Sequence, residues 1–150
     1  MSLNDIHCHF FSTEFFATLA AQRQGPRPGR SPMQKGMEYE LVGAKLSEKL
    51  CEELEWDAPG SAYTLAERWV RELDANGVRR AALIASIPGD ETSVAAAVAR
   101  YPDRFVGFFM LDPSSPEPVA RVRRAIGELG LRGICLFPAM HLVPLHDDRI

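Results

Sequence analysis

Three short apolar runs that alternate with helical patterns constrain the fold of this chain more than any other feature. The runs are residues 79–86, 105–111 and 132–137. Strands that are apolar throughout and are separated by helices are typical of parallel sheets that are covered on both faces. The runs therefore predict an α/β fold made of consecutive right-handed βαβ units.

The segments between these runs have the spacing of amphipathic helices. Apolar residues recur at three- and four-residue intervals within residues 65–78, 94–101 and 119–129. Thr64-Leu65-Ala66-Glu67 fits a capping box, which predicts that the first of these helices begins there. Leucines spaced four residues apart predict an additional helix over residues 44–55.

A segment near the N-terminus has the composition of a loop. Residues 23–36, RQGPRPGRSPMQKG, are dense in Gly, Pro and Arg and predict a mobile surface connection. We expect a flexible excursion near residues 23–43 within a single domain that spans residues 1–150. A lid or substrate loop is the alternative to a plain connection, because long loops beside a site are often functional.

The first strand carries the residues with the most chemistry. Residues 3–10, LNDIHCHF, alternate so that Asp5, His7 and His9 share one face, while Ile6, Cys8 and Phe10 are expected in the core. Two imidazoles placed two residues apart on a strand can reach one metal ion. His7 and His9 are therefore predicted metal ligands, with a pair of hydrogen-bonded core histidines as the alternative. Asp5 either contacts one of these ligands and orients it, without binding the metal itself, or caps the strand.

The position of the histidine pair discriminates between two parallel architectures. A doubly wound sheet usually has a Gly-rich turn after its first strand, but the first glycine here is Gly25. Metal ligands at the carboxyl end of a first strand fit a (β/α)8 TIM barrel, in which the chemistry lies at that face. A complete barrel needs ~250 residues, so we expect this chain to supply about the first four βα units. A stand-alone half barrel, which would hide its open sheet edges by association, is the alternative.

Other polar residues follow the predicted strands at the same edge of the sheet. His141 comes after the fourth strand and is the candidate for substrate binding, with an exposed loop histidine as the alternative. Ser86 and Asp112 follow the second and third strands. Residues in such positions more often cap a helix or hold a turn.

Charge and composition exclude several classes of partner. The formal net charge is −3, which gives no basis for a nucleic-acid or an anionic membrane partner. No apolar run is long enough to span a bilayer, and the N-terminus lacks the pattern of a signal peptide, so we expect a cytoplasmic protein. The three cysteines form no CxxC motif and are expected to be reduced thiols.

Several motifs together resemble a known family. Asp5-Ile6-His7-Cys8-His9 resembles the DxHxH opening of the amidohydrolase superfamily. Residues 73–78, 101–108 and 130–134 resemble its amidohydrolase-related branch, which includes aminocarboxymuconate semialdehyde decarboxylase. The resemblance implies the N-terminal half of a metal-dependent (β/α)8 barrel, with His7 and His9 as ligands of a divalent ion, most often Zn²⁺. The family's remaining ligands and acid/base groups have no counterpart here, so catalytic residues are expected beyond residue 150.

The resemblance implies a metal-dependent hydrolase as the function. In such an enzyme, a metal-activated water attacks a C–N or C–O bond of a small-molecule substrate. Decarboxylation and hydration, as reactions of members of the same family, are alternative functions. A protein of another class, a non-catalytic half barrel that assembles with itself or with a partner, also stays open, as does a homo-oligomeric state.

Overall fold

A parallel four-stranded sheet organises the computed structural model, which describes residues 3–23 and 37–150. Its strands are β1 (Leu3–Phe10), β2 (Val78–Ala85), β3 (Phe105–Met110) and β4 (Gly133–Cys135). The helices are α1 (Thr13–Arg23), α2 (Met37–Glu53), α3 (Ala62–Ala75), α4 (Glu91–Arg100), α5 (Pro118–Gly127) and α6 (Pro138–His141). The three predicted apolar strands are thus present, although β4 has only three residues.

The strands lie side by side in the order of the sequence, β1-β2-β3-β4, and all three pairings are parallel. A doubly wound sheet reverses its order at a switch point, whereas a barrel adds each new strand beside the last. The α/β class and the parallel sheet are confirmed. The closed (β/α)8 barrel stays a prediction.

The main core lies between one face of the sheet and helices α3 to α5. Leu83, Phe105 and Phe109 from the strands are buried there against Val94 of α4 and other apolar side chains. Gly107 of β3 faces the same layer, and a Cβ at this position would lie 2.5 Å from Cδ2 of Leu131. The close approach between β3 and the segment before β4 therefore requires glycine at residue 107.

The opposite face of the sheet is more open. Ile6 is 79 % exposed and Ile134 is 42 % exposed, while Val106 and Phe108 are half-buried. In a (β/α)8 barrel, the corresponding face of each strand points into the barrel interior and is filled by side chains from the other strands.

A β-bulge in β1 makes two sequence-based expectations wrong: that Ile6 belongs to the core with Cys8 and Phe10, and that Asp5 shares a face with His7 and His9. Asp5 pairs with Ala81 and Cys8 pairs with Leu83, so β1 has one residue more than β2 between these pairs. The extra residue breaks the strict alternation of faces. Cys8 and Phe10 are buried against the helices as predicted, but Ile6 lies on the open face.

The N-terminal helices differ from the sequence-based boundaries. Helix α2 begins at Met37, so residues 37–43 of the expected excursion are helical. Met, Glu and Leu, which are strong helix formers, fill much of this stretch and explain the earlier start. Arg23 belongs to α1, and the rest of the predicted loop, residues 24–36, lies outside the described residues.

Helix α3 begins three residues before the position that the capping-box pattern predicts. Its N-cap is Ser61, whose Oγ accepts a hydrogen bond of 3.1 Å from the backbone N–H of Thr64. Thr64 therefore lies inside the helix and is not its cap. Ser61 satisfies a backbone donor that would otherwise be unpaired in the first turn.

Two further expectations concern thiols and membrane segments. Cys8, Cys51 and Cys135 are free thiols, as predicted. Over residues 3–23 and 37–150, no helix combines the length and the apolar character that crossing a bilayer would require.

Candidate functional site

The imidazoles of His7 and His9 meet near the carboxyl end of β1. Their Nε2 atoms are 3.1 Å apart, and their ring planes make an angle of 73°. The His7 side chain is exposed and that of His9 is half-buried. The structure therefore brings together the two residues that the sequence singles out as metal ligands.

The separation of the two nitrogens is compatible with either of two arrangements. Imidazole nitrogens that bind one tetrahedral zinc ion at ~2.0–2.1 Å lie about 3.3 Å from each other. A direct N–H···N hydrogen bond also has a length near the observed distance. Nowhere in the described part of the chain do three or more His, Cys, Asp or Glu side chains cluster as metal ligands would. His7 and His9 thus fit two positions of a metal site, and their role as ligands stays a prediction.

Ser86 determines which nitrogen of His9 carries the proton. The Ser86 side chain is buried at the end of β2, and its Oγ lies 3.0 Å from Nδ1 of His9. The Ser86 hydroxyl donates its own hydrogen to the carbonyl oxygen of Ile84, at 3.1 Å. Its oxygen must therefore accept a hydrogen bond from Nδ1–H of His9. This tautomer leaves the Nε2 lone pair of His9 free to bind a metal ion.

The environment of His9 also favours its neutral form. Burial lowers the pKa of His9, and the neighbouring His7 lowers it further. A metal ion binds only the unprotonated imidazole nitrogen. Ser86 and the local burial thus prepare His9 in the form that a metal ligand needs.

Asp5 contacts the backbone of the pair and not its rings. Its Oδ1 accepts a hydrogen bond of 3.0 Å from the backbone N–H of His7. This bond, together with one from the thiol of Cys8, lowers the pKa of Asp5. Burial and the nearby Asp5 carboxylate in turn raise the pKa of Cys8 to about 12. Asp5 therefore braces the bulge of β1, and its orientation of a metal ligand stays a prediction.

The other two polar residues predicted at this edge of the sheet, His141 and Asp112, form no hydrogen bond with His7 or His9. His141 ends α6, and its Nδ1 is buried without a hydrogen-bond partner among the described residues. Its contact with substrate is still a prediction. Asp112 accepts hydrogen bonds from the backbone N–H and the Oγ of Ser114, and these bonds lower its pKa. Asp112 thus holds a turn, which was the alternative expectation for this residue.

A buried hydrogen bond between Ser12 and Asp90 was missed by the sequence analysis. Ser12 follows β1 and donates a hydrogen bond of 2.5 Å to Oδ2 of Asp90, which precedes α4. Asp90 is 1 % exposed, and burial raises its pKa to about 6. The bond ties the end of β1 to the loop after β2. Its sequence signal is weak, because Pro88-Gly89-Asp90 indicates only that a strand has ended.

Replacing Asp90 with asparagine should change how the free energy of unfolding depends on pH. The native carboxyl has a pKa of about 6 against an ordinary value of 3.8, so between these values the folded protein holds the proton more tightly than the unfolded chain. The contribution of the Asp90 carboxyl to the free energy of unfolding therefore falls as pH rises from about 4 to 6. We expect the free energy of unfolding of Asp90→Asn to rise on the order of 2–3 kcal/mol over this range, relative to that of the parent protein.

Urea denaturation at pH 4, 5.5 and 7 measures this effect. Asparagine at residue 90 keeps an oxygen that accepts the hydrogen bond from Ser12. Asp103→Asn, at an exposed carboxylate, is the matched control and should leave the pH profile unchanged. Identical profiles for the parent protein and for Asp90→Asn would contradict a raised pKa at Asp90.

Comparison with known proteins yields one finding. A family model described as amidohydrolase matches residues 4–150, a range that includes His7, His9, Ser86 and Asp90. No curated protein matches the chain, and no solved structure does.

Proposed function

The chain belongs to the amidohydrolase family, and from this premise we propose that it is a metal-dependent hydrolase. The proposed reaction is attack of water on a C–N or C–O bond of a small-molecule substrate. The single observation that carries the proposal is the convergence of Nε2 of His7 and Nε2 of His9 to 3.1 Å near the carboxyl end of β1. Enzymes built on parallel β/α sheets place their chemistry at this end of the strands.

His7 and His9 would hold a divalent ion, for which Zn²⁺ is our proposal. When bound, such an ion polarises a substrate oxygen and makes a water molecule acidic enough to ionise near neutral pH. A catalytic zinc ion usually has three protein ligands. In this proposal, the remaining ligands and the group that moves the proton come from residues beyond 150, as the family resemblance implies.

Residues around the pair would prepare it for this role. The Ser86 hydroxyl oxygen accepts a hydrogen bond from Nδ1–H of His9, so that the lone pair of His9 lies on Nε2. The ring of Phe11 stacks on that of His9, with a centroid distance of 5.6 Å and an interplanar angle of 12°. Phe11 therefore shields one face of the imidazole from water and restricts its rotation. Partners of this kind are known to strengthen the binding of metals by histidine.

A second candidate function belongs to another class. Ile6 and Ile134 on the open face of the sheet are exposed apolar side chains, as they would be in a half barrel that assembles with a second copy. Such a protein would be a non-catalytic homo-oligomer. It would show no metal-dependent turnover, so the following experiment distinguishes it from the hydrolase.

Removal and return of the metal test the proposed function. The purified protein is assayed against a panel of esters, lactones and amides before dialysis against a chelator, after dialysis, and after addition of Zn²⁺. We expect the hydrolysis rate to fall at least about 100-fold without metal, because a metal ion contributes several kcal/mol to transition-state stabilisation. Zn²⁺ should restore the rate.

Two results would contradict this assignment. Hydrolysis that persists in full after the metal has been removed would exclude a metal-dependent hydrolase. Release of CO₂ from carboxylate substrates, without hydrolysis of any member of the panel, would favour the decarboxylase alternative of the same family.

A further inference from the structure

An aromatic pocket lies directly beside His9. It has a volume of about 250 Å³, and six of the residues that line it are His9, Phe11, Phe16, Trp56, Arg68 and Trp69. They come from the end of β1, from α1, from the segment before α3 and from α3 itself. Since His9 forms part of the wall, a group bound in this pocket would lie next to the proposed metal position.

Three aromatic rings of the pocket, those of Phe11, Phe16 and Trp56, contact one another and form one wall. The Trp56 ring lies 5.8 Å from that of Phe11 and 5.7 Å from that of Phe16, centroid to centroid. Phe16 is buried, whereas Trp56 is 52 % exposed. Trp56 therefore offers part of its ring to a ligand, and flat rings gain most from such a wall.

The polar atoms of the pocket indicate which polar groups a ligand needs in order to bind there. Arg68 donates from Nη2 to the carbonyl oxygens of Ala58 and Pro59, at 2.9 and 2.7 Å. Its Nε is buried, and within the described ranges it has no hydrogen-bond acceptor. A buried donor without an acceptor is unfavourable, and Arg68 lines the pocket, so an acceptor oxygen of a ligand would be stabilised once the side chain turns its Nε–H toward it. Asp57 also lines the pocket and balances the charge of Arg68, which favours a neutral ligand over an anionic one.

We propose that this pocket binds an uncharged aryl group of the substrate that carries an oxygen acceptor. A cavity of about 150 Å³ suffices for benzene, so the volume here accommodates a substituted single ring. The inference rests on the proposed function, because it assigns the aryl group to the substrate that is hydrolysed beside His9. It names the substrate class as aryl amides, aryl esters or related neutral aryl compounds.

Binding of small probes to the metal-free protein tests the pocket without any need for catalysis. Benzamide, benzoate and cyclohexanecarboxamide are titrated separately, and the dissociation constants are obtained from NMR chemical shifts. We expect saturable binding of benzamide that is at least about 3-fold tighter than binding of cyclohexanecarboxamide, because only the flat ring stacks on the aromatic wall. Benzoate should bind no more tightly than benzamide, because the opposite charges of Asp57 and Arg68 give the pocket no net attraction for an anion.

Variants locate the binding site. Trp56→Ala should weaken benzamide binding about 5-fold through the loss of one aromatic contact. Tyr63→Ala is the matched control, because Tyr63 is 55 % exposed but lies outside the pocket, and it should leave the constant within about 2-fold of the parent value. Arg68→Lys should weaken benzamide binding, whereas Arg71→Lys, at an exposed residue of the same helix, should not.

The outcomes separate this inference from the proposed function. Equal affinity for benzamide and cyclohexanecarboxamide, tighter binding of benzoate, or equal effects of Trp56→Ala and Tyr63→Ala would each overturn the pocket assignment. Hydrolysis of alkyl substrates with no preference for aryl ones would also overturn it, while leaving the hydrolase proposal in place. Selective benzamide binding by a protein without hydrolase activity would support the pocket and would refute only its link to hydrolysis.

Discussion

Replacing both His7 and His9 with alanine is expected to abolish stoichiometric metal binding and, with it, hydrolysis. The two Nε2 atoms, 3.1 Å apart, are the pair of described donors that we propose as ligands. Loss of residues that merely support metal ligands costs about 10–100-fold in affinity, so loss of two ligands should cost more than about 1000-fold. Metal content after dialysis, measured by elemental analysis, checks this result.

Matched variants make the measurement specific. His146→Ala removes an exposed histidine elsewhere in the chain and should leave metal content unchanged. Ser86→Ala should weaken metal binding about 10–100-fold, because His9 loses the acceptor that fixes its tautomer. Equal metal content in the parent protein and in the double variant would refute the assignment of His7 and His9. The far-ultraviolet circular dichroism of each variant shows whether the fold is retained.

Phe109→Ala should cause a large loss of stability. Phe109 lies near the carboxyl end of β3, is fully buried and packs in the core between the sheet and the helices. Truncation of a buried phenylalanine costs about 3–5 kcal/mol, a large part of the ~5–15 kcal/mol that stabilises a typical domain. The midpoint and slope of urea denaturation measure the loss.

The adjacent residue provides a control of the same type. Phe108 lies on the opposite face of the same strand and is half-buried, so Phe108→Ala removes the same atoms from a more open environment. We expect it to cost less than Phe109→Ala. A larger loss for Phe108→Ala would contradict the placement of the main core on the helix side of the sheet.

The strands and the parallel sheet could be predicted because each strand segment has its own continuous apolar run. A strand buried on both faces needs apolar residues throughout, and residues 81–85 and 105–111 have them. The pairing of His7 with His9 could be predicted for the same reason, since the two residues lie close together in one strand. The resemblance to the amidohydrolase superfamily is confirmed by the family match over residues 4–150, whereas the chemistry that the resemblance implies stays a prediction.

The features that were not predicted depend on distant parts of the chain. Ser86 and Asp90 contact His9 and Ser12 across 77 and 78 residues of sequence, and no local pattern encodes such partners. The exposure of Ile6 also could not be predicted, because a bulge is a property of two paired strands and not of one. Ser61 and not Thr64 caps α3, so the helix begins three residues before the capping-box pattern predicts, which illustrates how weakly a single short motif determines a helix boundary.

The extra residue in β1 decides which side chains can approach the histidine pair. It acts as a phase shift within the strand: odd-numbered positions before it, such as Asp5, share the helix side with even-numbered positions after it, such as Cys8. The two imidazoles after the shift therefore face the open side of the sheet without the carboxylate of Asp5 beside them, and any further anionic partner of the pair has to come from another strand or loop.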